Sequence, residues 1–124
     1  QKEYVKKCII DKQISLYGVF FKNEHIGNVI LKGIFSKHKR AEIGYVIGEK
    51  KYWGKGLGQL AIKLIVAKAK DEYKLNKLFA STAIGNIASI KVLEKNNFTL
   101  EGRKIKHLFY NNKFYDQLDY GLLL

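Results

Sequence analysis

Trp53-Gly54-Lys55-Gly56-Leu57-Gly58 is the stretch whose residue types and spacing most directly carry chemistry. Three glycines at alternate positions let the chain curl so that successive backbone N–H groups converge on one concavity. A helix opening within the stretch adds its unpaired N–H groups and partial positive charge. Lys50, Lys51 and Lys55 put further charge at the rim. The product is a socket for a phosphate or diphosphate. The plainer alternative is a loop whose glycines serve tight turning and close helix–sheet contact. Two common phosphate loops are excluded on residues. No GxxxxGK run followed by Ser or Thr occurs. The dinucleotide fingerprint GxGxxG fails at Gln59, and Ala80-Ser81-Thr82-Ala83 stands where an acidic residue should close the next strand.

The elements that must position this loop follow from periodicity. Tyr4, Val5, Cys8 and Ile9 have the spacing of a short amphipathic helix over residues 3–10. Strands are expected at 16–21, 26–35 and 41–47, with a tight turn at 23–25 and a basic loop at 36–40. The longest helical pattern runs from Leu57 to Tyr73, with Leu57, Leu60, Ala61, Leu64, Val66, Ala67 and Ala69 making a broad apolar face. A buried strand at 77–83 precedes a second helix at 87–96, for which Asn86 is the expected N-cap. Two final strands surround an Asn111-Asn112 turn. Strand, long helix and strand over 41–83 fit a right-handed crossover between parallel neighbours, and the remaining pairs should be antiparallel. The expected fold class is α/β, a mixed and mostly antiparallel sheet with helices on both faces.

Composition narrows the function classes. The 124 residues suit one domain, 1–124, and 47% hydrophobic content excludes a disordered chain. Cys8 is the only cysteine, and His25, His38 and His107 lack zinc-ligand spacing, so neither a disulfide framework nor a metal is expected. No apolar run reaches the ~18 residues of a membrane span, and the first residues do not read as a signal peptide. A cytoplasmic protein with no membrane partner is expected. The net charge of +12 attracts polyanions, but it is nearly all Lys and equally fits a solvated Lys-rich surface. Aromatic residues fall mostly on apolar strand positions rather than in an exposed stacking row, so nucleic acid is not the expected partner. The chain starts at Gln1 and contains no Met, as expected of a chain without its natural start.

With these residues in place, the sequence resembles the GCN5-related N-acetyltransferase (GNAT) superfamily. The family's acetyl-CoA loop reads Arg or Gln, two residues, Gly, one residue, Gly or Ala. It falls here on Trp53, Gly54-Lys55, Gly56, Leu57 and Gly58. Trp in the first place departs from the general pattern and resembles the RimJ/RimL-like branch, which acetylates ribosomal-protein N-termini. A second motif, Asn-x-x-Ser/Ala before a helix ending Glu-Lys-x-Gly-Phe, matches Asn86, Ser89, Glu94, Lys95 and Phe98, with Asn97 replacing the glycine. Asn accepts left-handed backbone, so the change is tolerable. The resemblance covers residues 1–124 in order and spacing. It implies a further N-terminal strand and helix that this chain lacks or carries only in part.

The resemblance implies acetyl transfer from acetyl-CoA, a co-substrate, to a primary amine. The acceptor is a protein N-terminus or, alternatively, a nucleotide-linked amino sugar or other small amine; a non-catalytic acyl-CoA- or nucleic-acid-binding module is the reading from another class. A monomer or homodimer is expected. The chemistry needs a base for the amine, donors for the carbonyl oxygen and a partner for the leaving thiolate. Glu42, in Ala41-Glu42-Ile43-Gly44-Tyr45, is the candidate base, and otherwise a cross-strand partner for a Lys. The resemblance lays the pantetheine arm along this strand, with the carbonyl near the N–H of Val46 and with Ile47 further along. Leu93 holds the place of a Tyr that serves the thiolate in many members. Ser89 is then the candidate donor, or else a first-turn residue bonded to Asn86, and Tyr110 is an outside candidate. Trp53, Gly54, Lys55, Gly56, Leu57, Gly58 and Asn86 complete the coenzyme set. Tyr115 and Asp116 are candidates for the acceptor wall, with Asp116 alternatively pairing with Arg103, Lys104 or Lys106 across the hairpin.

Overall fold

A computed structural model of the chain describes residues 3–10 as a backbone strand, and residues 14–48 and 50–124 with their side chains. The strands are β1 (Glu3–Ile10), β2 (Ile14–Phe21), β3 (Glu24–Lys32), β4 (Arg40–Ile47), β5 (Lys77–Ala83), β6 (Thr99–Tyr110) and β7 (Lys113–Leu123). Helix α1 spans Leu57–Asp71 and α2 spans Ile87–Lys95. All seven strands form one sheet in the order β1-β2-β3-β4-β5-β7-β6. Every neighbouring pair is antiparallel except β4 and β5.

Residues 3–10 differ from expectation. They form a strand antiparallel to β2, not a helix. Tyr4, Val5, Ile9 and Ile10 are β-branched or aromatic, and their fit to a pleated surface outweighs a helical spacing that covers only two turns. The β2–β3 and β6–β7 turns each use two residues with positive φ, Lys22 and Asn23 in the first, Asn111 and Asn112 in the second. This matches the strand twist.

Strand alternation divides the sheet. Ala41, Ile43 and Tyr45 on β4 lie on the same side as Val29 and Leu31 of β3, and Ala61, Ile62, Ile65 and Ala69 of α1 pack into this layer, nearly all fully buried. Arg40, Glu42, Gly44 and Val46 face the other way. β5 and β6 are both antiparallel to β7 and therefore parallel to each other. The crossovers through α1 and α2 advance in the same direction along the sheet, so right-handedness puts both helices on one face. The mixed, mostly antiparallel sheet with one parallel crossover and packed helices is the expected fold class. The Asn96 side chain donates to the Gln59 carbonyl at 3.1 Å and ties α2 to α1.

Candidate active site

The glycine loop occupies the gap between β4 and α1. Gly54 and Gly56 have φ of +74° and +77°, where side chains are strained, and a methyl group on either would meet nothing within 4 Å. Gly56 is the N-cap of α1 and offers no side chain, and the first helical bond runs from the Leu60 N–H to the Gly56 carbonyl at 3.0 Å. The N–H groups of Leu57, Gly58 and Gln59 therefore have no acceptor within the helix. Gly58 serves a different end. A methyl group there would stand 2.8 Å from a Tyr45 ring carbon, so glycine sets how closely α1 approaches β4. Gly58→Ala is expected to cost about 1–3 kcal/mol through overpacking, seen as a lower midpoint in thermal unfolding.

Trp53 holds the loop to the strand: its indole N–H donates to the Ile47 carbonyl at 2.7 Å. Lys50 lies 6.0 Å from the centre of the Trp53 ring, which is 57% exposed. Tyr52 donates to Glu24 at 2.7 Å and meets the Phe21 ring edge-on, fixing the turn before the loop.

Below the loop the sheet opens. β4 and β5 pair only over Arg40–Lys77, Ala41–Leu78 and Glu42–Phe79, after which they diverge. The wedge holds a cavity of about 390 Å³ lined by Ile43, Gly44 and Tyr45 of β4, Ala80–Ala83 of β5, Ile62 of α1, and Asn86, Ser89 and Leu93. The Gly48 N–H donates to the Ile26 carbonyl at 2.8 Å, which fixes the bonding alternation of β4. Gly48 and Val46 direct their backbone groups to β3, whereas Ile43, Tyr45 and Ile47 direct theirs into the wedge. The amide suited to a carbonyl oxygen is therefore that of Tyr45, correcting the assignment to Val46, whose 63%-exposed side chain lies on the opposite face. Burial raises the Tyr45 phenol above its usual pKa, so it stays a neutral donor in this wall.

Asn86 caps α2, its side-chain oxygen accepting from the Ser89 N–H at 3.2 Å. The Ser89 hydroxyl makes no hydrogen bond among the described residues and lines the wedge. The pairing with Asn86 thus uses the backbone of Ser89 and leaves its Oγ available. Asn97 has φ of +68° and stops the helix, and Phe98 behind it is 2% exposed.

Glu42 lies on the other face. A second cavity of about 390 Å³ is lined there by Arg40, Glu42, Lys77, Phe79, Glu101, Lys104 and Asp119, and it shares Ala80, Ser81 and Gln117 with the first. The two cavities meet through the sheet where β4 and β5 part.

Tyr115 and Asp116 line neither cavity. The Tyr115 ring stacks on Tyr110 with centroids 4.2 Å apart, and Tyr110 lines neither cavity. Asp116 accepts from Arg103 Nε at 2.6 Å and from the Lys106 N–H at 2.8 Å. These bonds hold its carboxyl below the usual value of 3.8, the Lys106 amide contributing most. A lowered native pKa stabilises the fold above the unfolded value, and the benefit fades as pH falls through the native one. Asp116→Asn is expected to lower the melting temperature at pH 7, with the gap to the parent narrowing as pH falls below ~4. The polar residues of β7 that do line the second cavity are Gln117 and Asp119. Period-two alternation against the apolar Leu118 and Tyr120 could have found them, since it sets 117 and 119 on one face and 116 on the other.

Among the described residues no group of three or more His, Cys, Asp or Glu is placed to hold a metal, and no helix is long and apolar enough to cross a membrane.

Comparison with known proteins places this geometry. The profile of the acetyltransferase (GNAT) domain family matches residues 1–99. The putative ribosomal N-acetyltransferase YdaF of Bacillus subtilis (strain 168) is 31% identical over 106 residues, 86% of this chain and 57% of the relative. A probable spermine N(1)-acetyltransferase of Bacillus subtilis subsp. natto (strain BEST195) is 26% identical over 110 residues, 81% of this chain and 72% of the relative. Among solved structures, RimL, a ribosomal L7/L12 alpha-N-protein acetyltransferase in complex with coenzyme A, superposes with a TM-score of 0.81 at 25% identity, covering 90% of this chain and 63% of that one. The chain spans little more than half the length of its ribosomal-type curated relative. A glycine loop at a bare helix start, a wedge between parallel strands and a profile match over most of the sequence make this chain a member of the GNAT acetyltransferase family, in its RimJ/RimL-like branch.

Proposed function

We propose that the protein transfers an acetyl group from acetyl-CoA to a primary amine, in the manner of an N-acetyltransferase. The observation that carries this reading is the through-sheet wedge. Its cavity between β4, β5 and α2 suits the acyl end of a coenzyme, and the second cavity, which shares Ala80, Ser81 and Gln117 with it, suits an acceptor beside Glu42. The residues fit the coenzyme: unpaired N–H groups at the start of α1 and open space at Gly54 and Gly56 suit a diphosphate, and the unpaired edge of β4 suits an amide-bearing arm. When bound, the coenzyme supplies an acyl group activated as a thioester.

The protein's part is positioning and proton handling. Backbone N–H groups of Leu57 and Gly58 hold the diphosphate, with Lys55 adding charge. The Tyr45 N–H donates to the acyl oxygen as negative charge develops there. Glu42, across the sheet, accepts the proton of the acceptor amine, directly or through one water. The Ser89 hydroxyl donates a hydrogen bond to the departing sulfur, whose basicity is near that of a cysteine thiolate, pKa ~8.5. Leu93 closes the wall beside it without taking part in proton transfer.

The acceptor we favour is a protein N-terminal α-amine in the cytoplasm, supported by the ribosomal N-acetyltransferase among the relatives. A nucleotide-linked amino sugar is the small-molecule alternative. Measuring coenzyme A release from acetyl-CoA with peptides bearing free N-termini, nucleotide amino sugars and polyamines tests the reading. Acceptor-dependent thiol release is the expected result; none with any amine would overturn it.

A further inference from the structure

We propose that the acceptor is amphoteric, its reacting amine carrying an anionic group within a few bonds, and that Arg40 is the residue that reads the anion. This rests on the acetyl-transfer reading above. The acceptor-side cavity is lined by three carboxylates, Glu42, Glu101 and Asp119, and three cations, Arg40, Lys77 and Lys104. Two of each are already paired. Lys77 Nζ lies 2.8 Å from Glu101, and Lys104 Nζ lies 3.5 Å from Asp119, which also accepts from the Gln117 side chain at 2.8 Å. Glu42 and Arg40 make no ion pair among the described residues.

These two stand on the same face of β4, two positions and about 7 Å apart along the strand. The cavity therefore offers one uncommitted carboxylate and one uncommitted guanidinium, side by side. An ammonium group suits the first. A guanidinium presents a planar fork of donors that matches a carboxylate or phosphate. Lys32, opposite Glu42 on β3 and exposed, adds positive charge on the same side. A polyamine would place its second cation beside Arg40 and Lys32, or have to open the Lys77–Glu101 and Lys104–Asp119 pairs. The same ammonium-plus-anion chemistry occurs at a peptide N-terminus with an acidic second residue and in an amino-sugar phosphate.

The test is steady-state thiol release from acetyl-CoA with matched acceptors: a peptide with Asp at its second position against the Asn analogue, glucosamine 6-phosphate against glucosamine, and spermidine. The anionic member of at least one pair is expected to exceed its neutral partner in kcat/KM by about tenfold, the factor that one charged hydrogen-bonded contact supplies. Which pair shows the preference identifies the source of the anion. In Arg40→Gln the preference should collapse toward unity, mainly through KM for the anionic acceptor. Arg40→Lys, which keeps the charge but not the fork, should retain part of it. Preference for spermidine, equal use of both members in each pair, or a preference that survives Arg40→Gln in a variant that melts like the parent overturns this inference. Calorimetry with coenzyme A separates the two levels: binding with the wrong acceptor preference leaves the coenzyme site standing, and absence of binding overturns both.

Discussion

Replacing Gly56 by valine is expected to abolish measurable coenzyme A binding while leaving the fold largely intact. The two effects come apart because they arise in different places. A Cβ at residue 56 meets nothing within 4 Å beyond its chain neighbours, so the folded state has room for a side chain there. What remains is the backbone cost of a β-branched residue at φ +77°, on the order of 1–3 kcal/mol if the turn holds its shape. Binding suffers far more. A valine would project into the open space at the start of α1, which the proposed reading gives to the diphosphate. A turn that relaxes to avoid the strain also turns the N–H groups of Leu57 and Gly58 away. Loss of several charge-assisted hydrogen bonds at about 1.5–3 kcal/mol each weakens binding at least a hundredfold. Isothermal titration with coenzyme A, alongside thermal melting, measures both. A variant that melts near the parent and binds coenzyme A as tightly would remove the glycine loop from the site.

The same loop shows what the sequence could and could not reveal. Alternate glycines between an apolar strand and a long amphipathic pattern are local signals, and they located the loop, the start of α1 and the N-cap at Asn86. The Asn97 turn was equally legible, because one left-handed residue ends a helix wherever it occurs. Register is not local. The correction from Val46 to Tyr45 depends on which carbonyl of β3 meets Gly48, a pairing between residues far apart in the chain. Asp116 is a different case, since strand alternation alone sets it on the face opposite Gln117 and Asp119. Asp116 lies close to Arg103 because β6 and β7 pair in one register, and a salt bridge on the hairpin holds it there. Residues 3–10 carry a two-turn apolar spacing that fits a short helix and a strand about equally well, and they form a strand. The meeting of the two cavities at Ser81 and Gln117 was invisible to sequence patterns, since it exists only where β4–β5 pairing stops.

Glu42→Gln should reduce turnover by well over tenfold and leave coenzyme affinity nearly unchanged. The structure separates these quantities. Glu42 lines the second cavity and is absent from the lining of the wedge proposed for the coenzyme arm, so on that reading amidation alters nothing the coenzyme touches. Glutamine matches the carboxylate in size and keeps a hydrogen-bond acceptor, so the acceptor amine can still be held. It cannot take the proton. General-base catalysis by one positioned group contributes typically ~10²–10⁴-fold, and loss of that contribution should appear in kcat rather than in the coenzyme KM. A purely structural role predicts a different pattern. Were Glu42 only a cross-strand partner for Lys32, Glu42→Gln would shift the melting temperature slightly and spare kcat, as an exposed pair is worth about 0–1 kcal/mol. Measuring kcat, coenzyme affinity and melting temperature on one preparation distinguishes the two. Undiminished kcat would transfer the proton to another acceptor on this face, where Asp119 is bound to Lys104 and Gln117 and Glu101 is bound to Lys77. Either substitute would have to break an ion pair before it could accept a proton, which is the physical reason for assigning the base to the one carboxylate of this cavity that has no such pair.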